Sequence, residues 1–266
     1  MSIARSYLFV PGNRPDRFDR ALAAGADRVI IDLEDAVAPT DKIAARGALA
    51  DWLTPERSVI VRINGADTEW YAEDLALCRR PGVEAVLLPK AECIGDELAA
   101  LCRSTGCRIL PLIETARGFQ LAEVLATSEN VQRLVFGTID FQVDLGLDGE
   151  GDELLFFRSQ LVLVSRLACI EPPVDGVSTE IQDLDRVRTD ADRARRLGFG
   201  AKLCIHPKQV PAVHDAWRPS DAEFQWAQRV LAAFQAANGG AVAVDGRMVD
   251  RPVMLKAEQI VRERQR

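Results

Sequence analysis

Along the chain, short apolar runs rich in Val, Ile and Leu alternate with longer stretches in which apolar residues recur every three to four positions. The first pattern predicts buried strands, the second amphipathic helices. Strand-like runs stand at 6–11, 28–34, 58–64, 85–90, 107–114, 133–140, 170–177 and 200–206, their ends 23 to 37 residues apart, which is the rhythm of strand-plus-helix units. Helices are signalled between them, as at 15–24, with Pro15 near the start and Gly25 after the end, and at 40–53, opened by Thr40. Eight such units in 266 residues predict an α/β fold, a closed (β/α)8 TIM barrel. The rival, an open doubly wound sheet, usually announces itself by a G-x-G-x-x-G turn after its first strand, and PGNRPD at 11–16 is not one.

The rhythm breaks near the C-terminus. An amphipathic helix at 220–237 is followed by Gly239-Gly240, two short strands around a turn at Asp245-Gly246, and a helix from about 252. The expected organisation is a barrel over 1–218 and a helix–hairpin–helix extension over 219–266. A hairpin and its helices bury little surface alone, so the extension is expected to dock, on its own barrel or, preferably, on a neighbouring subunit.

Two of the apolar runs end abruptly in acid, the first at Glu114 (CRILPLIETARG) and the second at Asp140 (RLVFGTIDFQVDLG). As last residues of neighbouring parallel strands, both carboxylates would emerge side by side at one edge, where they could hold a divalent cation. Magnesium prefers six oxygens, so water or a chelating substrate would complete such a site. The C-terminal ends of barrel strands carry the chemistry, and there the sequence also puts Phe9, Glu34, Asp35, Arg62, Lys90, Glu92, Asp175 and His206. So many acids push each other's pKa values up unless Arg62, Lys90 or a metal offsets them. For Lys90 the same acids favour an ion pair over Schiff-base chemistry.

Composition then removes alternatives. A net charge of −7 excludes a broad basic field for nucleic acid or anionic lipid. Two histidines, His206 and His214, cannot build a His-rich zinc site, and no Ser lies in a G-x-S-x-G turn. Six cysteines without a C-x-x-C pair fit a reducing cytoplasm, and the apolar stretch before Pro11 is too short for a signal peptide or a membrane span.

Several strings together carry a resemblance. RSYLFVPGN (5–13), VIIDLEDAV (29–37), VRIN (61–64), LLPKAE (87–92), LIETARG (112–118), FGTIDFQVDLG (136–146), GFGAKLCIHPKQV (198–210) and DGRMVDRPV (245–253) resemble the HpcH/HpaI aldolase and citrate lyase family. Within it they are most similar to the citrate lyase β-subunit and the malyl-CoA and citramalyl-CoA lyases. Two adjacent positions depart, Thr138-Ile139 standing where the β-subunit tends to carry Ala-Glu. The resemblance implies a magnesium-dependent lyase that splits a β-hydroxyacyl thioester of CoA, or of a carrier protein, in a homo-oligomer, trimer or hexamer. It implies Glu114 and Asp140 as metal ligands, with Glu114 also meeting substrate, and Arg62 as the grip on the keto acid's carboxylate. It further implies Phe9 beside the substrate, Asp175 near the CoA portion, and Asp250 as a general acid/base from a neighbouring subunit. Lys42 with Arg46, and Arg14 with Arg17, are candidates for CoA phosphates or else solvated helix faces. The alternatives are a metal-dependent aldolase acting on free keto acids and a non-catalytic CoA-thioester-binding subunit.

Overall fold

The structure, a computed structural model, describes residues 4–237 and 239–264. The chain divides after His214 into two compact units, four residues before the boundary expected at 218.

In the first unit eight parallel strands close in sequence order: β1 (Ser6–Pro11), β2 (Arg28–Asp32), β3 (Val59–Arg62), β4 (Val83–Leu88), β5 (Arg108–Ile113), β6 (Val135–Phe136), β7 (Val174–Asp175) and β8 (Ala201–Cys204). Closure is made by β1 pairing with β8, Ser6 opposite Lys202. Helices follow the strands: α1 (Phe18–Leu22), α2 (Lys42–Trp52), α3 (Tyr71–Leu77), α4 (Asp96–Thr105), α5 (Ala116–Gln120), α6 (Ala122–Ala126), α7 (Thr138–Leu145), α8 (Leu155–Leu167), α9 (Leu184–Leu197) and α10 (Gln209–Trp217). The strands are buried on both faces, which is why they read as continuous aliphatic runs. Alternate residues point inward and fill the barrel, among them Tyr7, Ile30, Leu87, Leu112 and Leu203.

Two strands are shorter than the apolar runs suggested. The run at 170–177 reduces to Val174–Asp175 because Pro172 and Pro173 have no N–H to give to a ladder. The Pro172 carbonyl is claimed by Arg133, a fully buried side chain whose Nε donates to Pro172 O (2.8 Å) and whose Nη1 donates to Ala4 O (3.0 Å) and Tyr7 Oη (3.2 Å). Arg133 thereby closes the end of the barrel away from the strand C-termini. The run at 133–140 likewise yields only Val135–Phe136, after which Gly137 turns the chain directly into α7.

The second unit contains α11 (Asp221–Ala236), a hairpin of β9 (Val242–Val244) and β10 (Arg247–Val249), and α12 (Arg251–Arg264). Ser220 and Glu223 form a reciprocal capping box at the start of α11. Asp245 and Gly246 both adopt positive φ (51° and 75°), as a two-residue hairpin turn requires. Ala227, Val230, Val244, Val249 and Ala257 form its core.

Candidate active site

At the C-terminal end of the strands a cavity of ≈ 410 Å³ opens, and Phe9, Asp32, Asp35, Arg62, Glu114 and Asp140 all line it. Glu114 and Asp140 line the same cavity, each reaching it by a different route. Glu114 directly follows β5, whereas Asp140 is no strand end; it stands in the first turn of α7. An acid there opposes the helix dipole, which favours it. The turn between them needs a glycine: a Cβ on Gly137 would lie 2.6 Å from both Cβ and Oε2 of Glu114.

Glu114 is 2% exposed. Its Oε1 accepts the backbone N–H of Lys90 (2.7 Å), and Lys90 makes this bond from a left-handed conformation, φ 44°. Burial raises the Glu114 carboxyl to about 8; Lys90's amide opposes the rise and the charges of Glu34 and Asp140 add to it. Oε2 has no hydrogen-bond donor among the described residues, so this costly charge has one oxygen to offer a cation.

Arg62 ends β3 exactly where register sets it beside Asp32 at the end of β2. Asp32 takes both prongs of the guanidinium, Nε at 2.7 Å and Nη2 at 2.5 Å, while Nη1 lies 3.0 Å from Glu34 and 3.6 Å from Asp35. Phe9 covers the guanidinium, its ring centroid 5.0 Å away. Two prongs of the guanidinium expected to grip the keto acid's carboxylate are therefore already taken internally, by Asp32. The sequence places Asp32 and Glu34 at the end of the second strand, but their pairing with Arg62 is not read from it; the signal was their place in IIDLE, next to a strand ending in Arg62. Glu34 also accepts from Lys90 Nζ (2.7 Å), the ion pair foreseen for that lysine. Burial lowers the Lys90 ammonium's affinity for its proton, but the Glu34 hydrogen bond outweighs this and the net shift is upward.

The other expected residues lie elsewhere. Asp175 is fully buried in the barrel wall, where Arg158 Nε donates to Oδ1 (2.9 Å) and Lys202 Nζ stands 3.6 Å from Oδ2. Burial would raise its pKa, yet these cations hold it below the usual range. A side chain so enclosed has no surface to offer CoA, so Asp175 is structural. Lys42 and Arg46 are likewise withdrawn from any phosphate: Lys42 Nζ donates to the carbonyls of Leu33 and Glu34 (2.8 Å each), and Arg46 pairs with Asp74 (2.9 Å). Arg14 pairs with Asp16 at the surface. His206 Nδ1 accepts the Lys208 N–H (3.1 Å) within its own turn. Asp250 belongs to the second unit, where its Oδ1 accepts from Val253 N (3.3 Å) at the start of α12.

A sequence profile described as HpcH/HpaI aldolase/citrate lyase matches residues 5–207. The chain belongs to that family. It is an enzyme of a lyase family, of the citrate lyase β-like, CoA-ester-lyase kind. Over 263 residues it is 38% identical to a citrate lyase subunit beta-like protein of Mycobacterium tuberculosis, covering 96% of this chain and 94% of that one. It is 34% identical to a (3S)-malyl-CoA thioesterase of Cereibacter sphaeroides, covering 96% and 92%. The crystal structure of CitE from M. tuberculosis in complex with magnesium, acetoacetate and coenzyme A superposes with a TM-score of 0.87 at 37% identity, over 100% of this chain and 99% of that one. Among the described residues no helix is long and apolar enough to cross a membrane.

Proposed function

We propose that this family member is a magnesium-dependent carbon–carbon lyase that cleaves or forms a β-hydroxyacyl thioester, yielding an α-keto acid and an acyl-CoA. The observation that carries the reading is the meeting of Glu114, Asp140 and Arg62 around one cavity. The donor set fits a hard divalent cation: two carboxylates, one of them buried with a free oxygen, and open positions for substrate oxygens. The magnesium and coenzyme A bound by the mycobacterial relative support the same partners here. When bound, magnesium polarises the oxygen that is hydroxyl in the thioester and carbonyl in the keto acid.

The chain's own groups account for the rest. The first amides of α7, those of Thr138, Ile139 and Asp140, have no intrahelical acceptor, and no side chain caps this helix. They face the anion expected at a helix N-terminus, the keto acid's carboxylate. Arg62, held flat by Asp32 and Phe9, adds a fixed positive charge rather than a flexible clamp. In cleavage the hydroxyl loses its proton to a base and its electron pair becomes the new C=O bond. The C–C bond breaks, and its electrons pass to the thioester's α-carbon, which is then reprotonated. We assign the base to Asp250 of a neighbouring subunit in a cytoplasmic homo-oligomer, a trimer or hexamer. Exposed apolar side chains such as Val143 (80%) and Phe156 (60%) support burial of barrel surface by such a partner.

The test is product analysis with malyl-, citramalyl- and citryl-CoA, with magnesium or with a chelator. The expected result is keto acid without free thiol, lost on chelation. Free thiol without keto acid would instead assign thioester hydrolysis, the activity in the name of the C. sphaeroides relative.

A further inference from the structure

The lyase reading leaves the keto acid's own substituent open, and the cavity wall bears on it. Among the described residues that line the cavity, Arg62 is the one cation, against four carboxylates, Asp32, Asp35, Glu114 and Asp140. That cation is already engaged by Asp32, Glu34 and Asp35. Lys90 is not in the wall and is paired with Glu34. One substrate carboxylate can be met by the uncapped amides of α7 and the field of Arg62. A second would find no free cation in this wall, and the unpartnered hydroxyl of Thr138 is a neutral donor that cannot balance its charge amid four carboxylates.

What the wall offers instead is apolar. Leu112 and Leu203 are buried and close the floor as the top of the barrel core. Phe9 and Val177 pack on that core yet remain partly exposed, and Ile139 and Ile205, each 39% exposed, stand at the cavity's margin. Resting on the lyase reading, we infer that the keto acid handled here has a single carboxylate and a short alkyl group. The matching thioester carries an alkyl group on its carbinol carbon, as a citramalyl group does, and not the carboxymethyl group of a citryl thioester. A buried charge without a partner is rejected far more strongly than a methyl group is selected, so the discrimination against a second carboxylate is the larger of the two.

The test uses the full-length protein with magnesium and acetyl-CoA in the condensing direction. The acetyl methyl gives up a proton, its carbon bonds to the keto carbon, and the keto oxygen gains a proton. kcat/KM is compared for glyoxylate, pyruvate, 2-oxobutyrate and oxaloacetate. Pyruvate is expected to exceed oxaloacetate by about 100-fold and glyoxylate by about 10-fold. Ile205→Arg and Ile139→Arg, both at partly exposed positions, are expected to narrow the pyruvate-to-oxaloacetate ratio at least about tenfold by supplying the missing cation. Oxaloacetate within about threefold of pyruvate in the wild type, or glyoxylate ahead of pyruvate, overturns the inference and leaves the lyase reading standing. Turnover of none of the four keto acids overturns both. Should the arginine variants fail to fold, calorimetric binding of the keto acids to the wild-type protein with magnesium decides: tighter oxaloacetate overturns the inference, tighter pyruvate supports it.

Discussion

At the scale of single residues, the site is an arrangement of acids kept apart by two cations. Glu114 is the costly member, since burial holds its carboxyl near 8 against an ordinary 4.5. A carboxyl raised in the folded state keeps a proton that the unfolded chain has released between these two values. Metal-free stability attributable to it therefore falls as pH rises from about 4.5 to about 8. We expect the melting temperature of Glu114→Gln, without metal, to fall less over this range than that of the wild type. Magnesium should stabilise the wild type more at pH 8 than at pH 5.5; equal pH slopes for the two proteins would contradict this account. Lys90 is the second point of stress, with its left-handed backbone aiming an amide at Glu114. Lys90→Gly keeps that amide without strain and loses only the ion pair to Glu34, whereas Lys90→Val must hold a β-branched residue at positive φ. Denaturant unfolding should find the Val variant less stable than the Gly variant by about 1–3 kcal/mol. Asp140→Asn, half-exposed and in a helix, should leave the fold intact while lowering kcat by about a thousandfold or more, measured beside an unchanged circular dichroism spectrum.

At the scale of elements, a buried ion cluster stands at one of the two shortest strands. β7 has two residues, and its Asp175 is anchored by Arg158 from α8 and Lys202 from β8. Removing one partner leaves the other charge buried, so Arg158→Met should cost about 3–5 kcal/mol in denaturant unfolding. A loss below about 1 kcal/mol would mean that the pair is not what holds β7. The start of β1 is tied differently: Asp27 accepts the amides of Arg5 and Ser6 (2.8 and 3.1 Å) and contacts His214 Nε2 (3.1 Å). Burial opposes ionisation of Asp27, but these partners prevail and bring it to about 2. Its contribution is complete above about 4 and lost as pH falls toward 2. Much at this scale was legible from periodicity and turn residues, including every barrel strand's existence and the helix–hairpin–helix of the second unit. The overcalled runs at 133–140 and 170–177 had the right hydrophobicity, yet prolines and a glycine turn ended the ladder inside them.

At the scale of the whole molecule, the proposed donation of Asp250 across subunits makes a prediction that no single chain can satisfy. Asp250→Asn and Asp140→Asn should each be inactive alone. Mixed and reassembled, they should regain a measurable fraction of wild-type turnover, because some sites combine an intact Asp140 with a neighbour's intact Asp250. No recovery in verified mixed oligomers would return Asp250 to its observed part, the start of α12.

The amino-acid pattern by itself determined the number and order of the strand-and-helix units, and placed Glu114, Arg62 and Phe9 at strand ends, because periodicity and turn chemistry act over a few residues. Only the closed barrel decided that Asp32 takes the prongs of Arg62, that Asp175 is sealed between Arg158 and Lys202, and that Asp140 reaches Glu114 from a helix. Those outcomes depend on register between strands and on which side chains closure deprives of water, and both are set by contacts between residues far apart in the chain.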